Sequence, residues 1–325
     1  MKALVCAEHG LPSTLSYTES PDPKPGSSEV LISVRACGVN FPDVLIIQNK
    51  YQFKPPLPFS PGGEVSGEVL AVGEKVKHVK PGDRVIALCG WGGFAEQVVV
   101  QAPRVFPMPK GMDFITGATT LYTYGTSYHA LKDRAQLKKG ETVLVMGAGG
   151  GVGLAAVELA GIMGATVIAA ASSDDKLQAC AEKGAQHLIN YTTEDLRGRI
   201  KEITGDNGVD VVYDPIGGAL ATEALRSMAW RGRYLVVGFA SGPIPSLPLN
   251  LTLLKGASIV GVFWGDFSRR EPRANAAMMA ELAGWYAQGK VKPVIDRTMP
   301  MAELKAAYAR MGSREVRGKL VMVNP

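Results

Sequence analysis

The chain has 325 residues and a mass of 34.5 kDa, which corresponds to two domains at roughly 100–200 residues each and excludes a single small module. Hydrophobic residues make up 46% and charged residues 20%, which excludes a disordered chain. The net charge is +5, concentrated in residues 269–325. Because that segment has no run of like charges and no interleaved aromatics, we expect an anionic small-molecule partner and no nucleic acid.

The cysteines and the first residues indicate the compartment. Four cysteines, at positions 6, 37, 89 and 180, have no spacing typical of a disulfide framework or a cysteine-rich zinc site. MKALVCAEHG lacks the features of a secretory signal, so a reduced, cytoplasmic chain is predicted. The long apolar stretch 143–171 contains seven glycines that divide it into short segments, and we therefore expect no membrane span.

The predicted secondary structure changes once along the chain. Residues 1 to about 118 combine β-branched runs, as at 29–35, with Pro/Gly turns such as KPPLPFSPGG, which predicts strands and little helix. From residue 121 to 265, short strands alternate with helices. The predicted strands lie at 142–146, 166–171, 187–191, 209–214, 233–238 and 258–264, and the predicted helices at 152–163, 174–183, 194–203 and 219–230.

This alternation predicts a parallel sheet with helices on both faces. A helix at 274–288, a shorter one at 301–311 and a closing strand, KLVMV, follow. We therefore predict a β-rich domain at 1–118, a nucleotide-binding domain at 119–266 and a C-terminal return to the first domain at 267–325.

The most specific motif is VLVMGAGGGVG, residues 143–153, between a predicted strand and a predicted helix. Glycines there let the turn close, let backbone N–H groups approach a pyrophosphate, and let the helix pack on the sheet with its N-terminus toward the phosphates. Two registers of the dinucleotide fingerprint are possible. Counted from the final glycine, it aligns as Ala148-x-Gly150-x-x-Gly153.

The residues that follow the predicted strand at 166–171 discriminate between NAD and NADPH as the cofactor. An NAD site places Asp or Glu about 20 residues after the motif, where it would repel a 2′-phosphate. This chain reads AAASSDDK, with Ala171 and Ser172 at the strand tip and Lys176 close behind, which predicts NADPH. Asp174 or Asp175 would bind the ribose if the strand ended one step later; otherwise they cap the following helix.

Several segments together resemble the medium-chain dehydrogenase/reductase superfamily, and within it the zinc-free quinone oxidoreductases, the quinone oxidoreductase-like proteins in particular. The resemblance runs essentially from end to end. It is carried by GVNFPDVL (38–45), PLPFSPGGEVSGEV (56–69), VKPGDRV (79–85), the glycine loop, LRSMAWRGRYLVVGFASG (225–242) and LLKGASIVGVFWG (253–265). It implies an α/β fold: a GroES-like β-rich catalytic domain plus a Rossmann domain built on a doubly wound parallel sheet.

The resemblance also bears on metal binding. Zinc-dependent members have a cysteine where this chain has Asn40, a histidine where it has Gly63, and a second cysteine near Leu121. Without those ligands a tetrahedral catalytic zinc site cannot form, and no metal site is predicted. A quinone or polarised C=C accepts hydride without the Lewis acid that alcohol chemistry needs. The resemblance thus implies hydride transfer from NADPH to a quinone or an α,β-unsaturated carbonyl.

Site residues are carried over from the resemblance one by one. The expected cofactor contacts are Asn40, Thr126, Gly149, Gly150, Gly151, Val152, Ser172, Lys176, Tyr191, Gly238, Phe239, Ala240, Ser241, Phe263, Trp264, Gly265 and Lys319. For catalysis we single out Asn40, Asp43 and Tyr51; some family members have a tyrosine where this chain has Leu45, and Tyr51 is the candidate replacement. Alternatively, Asp43 and Glu64 belong to a structural ion pair with a basic residue, left from an ancestral zinc site, and Tyr51 is a packing residue.

Two other functions remain open: a catalytically quiet NADPH-binding protein, crystallin-like or RNA-binding, and a zinc alcohol dehydrogenase. The resemblance also implies a homodimer that pairs through the last strand of the nucleotide sheet, 258–264. The apolar run SIVGVFW fits a covered edge strand or a buried central strand equally well.

Overall fold

A computed structural model describes residues 1–324 and divides into two compact units. Unit 1 comprises Met1–Tyr122 and the segment from Pro293 onward, and unit 2 comprises Thr123–Lys292. Residues 119–122 therefore lie in unit 1, and residues 267–292, which the sequence assigned to the return, lie in unit 2. The second difference arises because a helix at 272–287 binds unit 2 through side chains such as Asn275 and Glu281.

Fifteen strands and eleven helices are described within residues 1–324. The strands are β1 (Lys2–Val5), β2 (Ser16–Glu19), β3 (Glu29–Gly38), β4 (Glu64–Val72), β5 (Arg84–Leu88), β6 (Gln97–Gln101), β7 (Val105–Pro107), β8 (Thr142–Met146), β9 (Thr166–Ala171), β10 (His187–Asn190), β11 (Val209–Asp214), β12 (Met228–Val236), β13 (Ser258–Gly261), β14 (Ile295–Pro300) and β15 (Lys319–Val323). The helices are α1 (Phe41–Ile47), α2 (Phe114–Gly117), α3 (Thr126–Tyr128), α4 (Gly151–Ile162), α5 (Asp174–Glu182), α6 (Leu196–Thr204), α7 (Ala221–Arg226), α8 (Asn250–Lys255), α9 (Trp264–Arg270), α10 (Pro272–Ala287) and α11 (Leu304–Gly312). Two π-helical stretches, Leu121–Gly125 and His129–Arg134, flank α3.

Unit 1 is built on a seven-stranded mixed sheet in the order β14-β15-β3-β4-β5-β7, with β6 also paired to β3. β14 and β15 run parallel, and the other pairs are antiparallel. Along β3 the side chains of Val30, Ile32 and Val34 alternate into the core, as the sequence pattern predicts. β15 comes from the end of the chain, so the C-terminal segment completes this sheet.

Unit 2 is a six-stranded parallel sheet in the order β10-β9-β8-β11-β12-β13. Its inner strands are continuous apolar runs because helices cover both faces, and residues 143–146 of β8 are almost fully buried. The strand order reverses between β8 and β11. Ligands of such sheets bind at this switch point, outside the carboxyl ends of the strands, and the glycine loop lies there, directly after β8.

Two predicted elements of unit 2 are wrong. The helix predicted at 219–230 ends at Arg226, and β12 begins at Met228, whose side chain is buried and which pairs with Val209 of β11. The strand predicted at 258–264 ends at Gly261. Phe263, Trp264 and Gly265 therefore do not end a strand, because the buried Trp264 indole donates to Asn275 Oδ1 (2.9 Å) and α9 begins there.

Candidate functional site

The glycine loop of unit 2 has the shape that a pyrophosphate needs. Gly147 adopts a left-handed φ of 57°, and α4 begins at Gly151. A Cβ on Gly153 would lie 2.4 Å from Gly147 O and 2.7 Å from Ala148 Cα, so only glycine lets α4 pack this closely on the loop. A Cβ on Gly150 would meet nothing nearer than 3.5 Å, so its backbone is open. These distances agree with the register that ends at Gly153.

A cation lies against this loop. A Cβ on Gly149 would lie 2.5 Å from Lys176 Cβ and 3.0 Å from Lys176 Cδ, so the aliphatic stem of Lys176 packs on Gly149. β9 ends at Ala171, and Ser172 and Ser173 separate it from the aspartates. Asp174 Oδ1 accepts a hydrogen bond from Asn190 Nδ2 (2.7 Å), which directs this carboxylate toward β10. Ser172 and Lys176 are thus the polar groups at the tip of β9, and Ser173 forms the N-cap of α5.

Other predicted contacts surround the same edge of the sheet. Tyr191 follows β10, and its backbone N–H donates to Ala171 O (3.1 Å) at the end of β9. The segment 238–241 follows β12 and is tied to the end of β11, for example by Ala240 N to Pro215 O (3.1 Å). Ser241 Oγ is buried and has no hydrogen-bond partner within residues 1–324. A buried hydroxyl without a partner costs free energy, and a ligand with a polar group would satisfy it.

The remaining predicted contacts of unit 2, Thr126, Phe263 and Trp264, have different surroundings in the structure. Thr126 is half-buried, and the next residue binds α4 through Ser127 Oγ, which donates to Val152 O (2.9 Å). Thr126 is therefore held beside the first turn of α4. Trp264 packs its ring on Gly125 and uses its indole N–H on Asn275, so it acts as a packing residue inside unit 2. Phe263 is partly exposed.

Unit 1 contains a buried cluster of four polar side chains. Asn40 precedes α1, Asp43 lies in its first turn, Glu64 begins β4 and Lys319 begins β15. Lys319 Nζ donates to Asn40 Oδ1 (2.6 Å) and Val39 O (2.9 Å) and lies 3.6 Å from Glu64 Oε2. Asn40 Nδ2 donates to Glu64 Oε2 (3.3 Å), and Asn40 N donates to Asp43 Oδ2 (2.7 Å). The structure thus brings together the predicted residues Asn40, Asp43 and Lys319.

Burial dominates the electrostatics of this cluster. It raises the pKa of Asp43 to about 7, although the Asn40 N–H and the Lys319 charge oppose the shift. Burial also raises the pKa of Glu64 and lowers that of Lys319, with each partner charge opposing the effect. Asp43 can therefore gain or lose a proton near neutral pH, as general acid–base catalysis requires.

Two tyrosines accompany the cluster. Tyr51 is half-buried and packs against the core of unit 1; burial and the Asp43 charge raise its pKa to about 12, so the phenol stays protonated at neutral pH. Tyr122 N donates to Glu64 Oε1 (3.0 Å). The predicted site omitted Glu64 and Tyr122. A glutamate at the start of a buried strand was a usable signal for Glu64.

Within residues 1–324, no group of three or more His, Cys, Asp or Glu side chains could hold a metal ion. No helix in the same range has both the length and the apolar character needed to cross a membrane.

Comparisons with known proteins match both units. The family model "Alcohol dehydrogenase GroES-like domain" matches residues 26–110, and "Zinc-binding dehydrogenase" matches residues 151–281. The quinone oxidoreductase-like protein 2 homolog of Nematostella vectensis is 39% identical over 99% of this chain and 88% of its own length. The structure of Escherichia coli quinone oxidoreductase complexed with NADPH superposes with a TM-score of 0.93 at 28% identity over 100% of both chains. The CurK enoyl reductase superposes with a TM-score of 0.90 at 28% identity, over 100% of this chain and 99% of its own.

The mixed sheet of unit 1, the doubly wound sheet of unit 2 and these matches define one class of protein. The chain belongs to the medium-chain dehydrogenase/reductase superfamily of oxidoreductases, among the quinone oxidoreductase-like proteins. The family and the fold class predicted from the sequence are both confirmed.

Proposed function

We propose that this protein is an NADPH-dependent oxidoreductase that transfers a hydride to a quinone or an α,β-unsaturated carbonyl without zinc. The observation that carries the proposal is the Lys319 ammonium, buried and hydrogen-bonded to Asn40 Oδ1. Asn40 and Gly63 stand where the family resemblance implies zinc ligands in zinc-dependent members. A fixed ammonium beside Asn40 would repel a divalent cation there, which favours chemistry that needs no metal.

The residues of unit 2 fit NADPH. Backbone N–H groups of Gly151 and Val152 at the start of α4 would hold the pyrophosphate, and Ser172 and Lys176 would hold the 2′-phosphate. The buried Ser241 hydroxyl, which has no hydrogen-bond partner in the described part of the chain, offers a further polar contact. The Escherichia coli neighbour solved with NADPH supports the same choice. When bound, the cofactor supplies the hydride. Asn40, Thr126, Tyr191 and Lys319 remain predicted contacts.

The residues of unit 1 would act on the acceptor. Hydride addition to a quinone or enone moves an electron pair onto the carbonyl oxygen, and the product then takes up one proton. Asp43 can hold or pass that proton because its pKa is near 7, and the Tyr51 phenol, which stays protonated, can donate a hydrogen bond. The CurK enoyl reductase neighbour supports an α,β-unsaturated carbonyl as one acceptor class.

The test is a turnover panel. We expect purified protein with NADPH to reduce at least one of a set of ortho- and para-quinones, alkenals and enoyl-CoAs, followed as loss of nicotinamide absorbance. Metal analysis of the active protein should give substoichiometric zinc. NADPH binding without turnover across the panel would instead favour the quiet cofactor-binding protein. Stoichiometric zinc required for activity would revive the alcohol dehydrogenase.

We also propose that the protein is a homodimer paired through β13. β13 is the last strand in the order of its sheet, so within one chain it is an edge strand. The alternative that residues 258–264 form a buried central strand is therefore wrong for the single chain. Exposed apolar side chains lie on α8 just before it, with Leu253 80% and Leu254 68% exposed. An open edge strand beside apolar side chains is a surface that proteins normally cover.

A further inference from the structure

Gly63 has no room for a side chain, and Tyr122 takes up the space. Gly63 directly precedes β4, at the position where zinc-dependent members carry a histidine. A Cβ on Gly63 would lie 2.8 Å from Tyr122 Oη, 3.0 Å from Tyr122 Cε2 and 3.2 Å from Gly90 O. The hydroxyl end of Tyr122 therefore rests on the Gly63 backbone, and a side chain at position 63 would require the Tyr122 ring to move.

Tyr122 is bound to the polar cluster of unit 1 through its backbone. Glu64 Oε1 accepts the Tyr122 backbone N–H, so the residue after Gly63 also anchors Tyr122. The side chain is half-buried. Burial raises its pKa well above the ordinary value, and the charge of Asp43 adds to the rise while that of Arg104 opposes it. The hydroxyl therefore stays protonated at neutral pH.

We propose that Tyr122 is a catalytic residue of the acceptor site: its hydroxyl takes the place of the missing metal-ligand side chain and donates a hydrogen bond to the carbonyl oxygen of the quinone or enone. This inference rests on the proposed function. When hydride adds to the β-carbon of an enone, the C=C electron pair shifts and leaves negative charge on the oxygen. A donor already aimed at that oxygen stabilises the charge, as the donors of an oxyanion hole do.

The kinetic test uses Tyr122→Phe with Tyr124→Phe as its control. Tyr124 lies in the same π-helical turn, but its hydroxyl is bound to Glu158 Oε2 (2.6 Å) inside unit 2. We expect Tyr122→Phe to lower kcat for enone reduction about 10–1,000-fold, the range seen when a single oxyanion donor is removed. KM should change little, and the dissociation constant for NADPH should stay the same. Equal kcat in Tyr122→Phe and the wild type would overturn the proposal.

A spectroscopic titration reads the hydrogen bond without turnover. A push–pull enal, 4-(dimethylamino)cinnamaldehyde, absorbs at longer wavelength when its carbonyl oxygen accepts a hydrogen bond. In the presence of NADP⁺ we expect a red shift with the wild type and Tyr124→Phe, and a smaller shift with Tyr122→Phe. No red shift in the wild type, or the same shift in Tyr122→Phe, overturns the inference. If no compound of the turnover panel is reduced, the proposed function is contradicted, but the hydrogen bond from Tyr122 can still be tested because this titration does not require reduction of the aldehyde.

A rescue experiment tests the geometry. Gly63→Ala should lower the melting temperature, because its Cβ would overlap the Tyr122 phenol. Gly63→Ala combined with Tyr122→Val should recover most of the loss, since valine vacates the position of the hydroxyl. Failure of the double variant to recover stability would show that Tyr122 does not occupy the space at position 63, and the proposal would fall.

Discussion

The proposed chemistry of unit 1 depends on two carboxylates, Asp43 and Glu64, and the ammonium of Lys319, which are buried together. Glu64 accepts from Asn40 Nδ2 and from Tyr122 N, and it lies 3.6 Å from Lys319 Nζ, so three groups stabilise its charge. Asp43 accepts from Asn40 N, and the Lys319 charge also lowers its pKa, but neither offsets its burial. Glu64 is thus the structural partner of Lys319, and Asp43 is the group left free to titrate near neutral pH.

Asp43 should make stability depend on pH. Its pKa in the folded protein, about 7, lies above the ordinary 3.8, so folding favours the protonated form. The free energy of unfolding that it contributes therefore falls as the pH rises from about 4 to about 7. Asp43→Asn imitates the protonated carboxyl and removes this titration, whereas Glu64 and Lys319 remain. We expect the variant to lose less stability than the wild type between pH of about 5 and 8, measured by chemical denaturation.

Asp83→Asn is the matched control for this series, because Asp83 is partly exposed and its Oδ2 accepts a local backbone N–H, that of Lys80 (2.9 Å). Its pH dependence should follow that of the wild type. Parallel curves for Asp43→Asn and the wild type would show that Asp43 does not titrate in this range.

Lys176 should discriminate between the two nicotinamide cofactors. Hydrogen bonds to charged groups contribute about 1.5–3 kcal/mol, or roughly 10–100-fold in affinity. Lys176→Glu replaces the attraction for a 2′-phosphate by repulsion, so we expect the dissociation constant for NADPH to rise at least that much while that for NADH changes little. Fluorescence titration of both cofactors measures the ratio. Lys183→Gln, which alters a lysine bound to Glu158, is the control. Equal loss of both cofactors would remove the 2′-phosphate assignment.

At the scale of elements, the sequence predicted what local periodicity determines. The bounds of β8, β9, β11 and β15 match the structure because each is a short apolar run with a turn residue at its end. The helix predicted at 219–230 is wrong at its C-terminal end, where the residues belong to β12. Met228 pairs with Val209 of β11, and Arg231 adopts a positive φ of 62°, which a helix does not allow. Pairing with β11 decided this region, and no pattern inside residues 219–230 encodes that partner.

Close packing between β8 and α4 should depend on Gly153. Its Cβ would lie 2.4 Å from a carbonyl oxygen, and backbone cannot retreat as a flexible side chain can. We expect Gly153→Ala to cost about 1–3 kcal/mol of stability and to weaken NADPH binding, measured by denaturation and titration. Gly161→Ala, on the same helix with nothing within 4 Å, should be neutral or stabilise by up to about 1 kcal/mol. Similar losses in both variants would mean that helix composition matters rather than the contact.

At the scale of the whole molecule, the proposed acceptor site assembles from distant parts of the chain. Lys319 and Asn40 are 279 residues apart, yet their side chains are hydrogen-bonded because β15 pairs with β3 next to α1. Composition and periodicity contain no information about that pairing, and Lys319 entered the predicted site only through the family resemblance. The glycine loop, by contrast, is contiguous in sequence, and for that reason it could be identified from a single segment.

The exposed apolar side chains of α8 should determine the oligomeric state. If β13 pairs with β13 of a second copy, Leu253 and Leu254 lie beside that interface, and two carboxylates there would meet their own copies across a two-fold axis. We expect the wild type to sediment as a dimer and Leu253→Asp with Leu254→Asp to sediment as a monomer that still binds NADPH. Leu11→Asp, which changes an equally accessible leucine of unit 1, should remain dimeric. A wild type that is monomeric at micromolar concentration, or a double variant that stays dimeric, would show that this surface serves some other purpose.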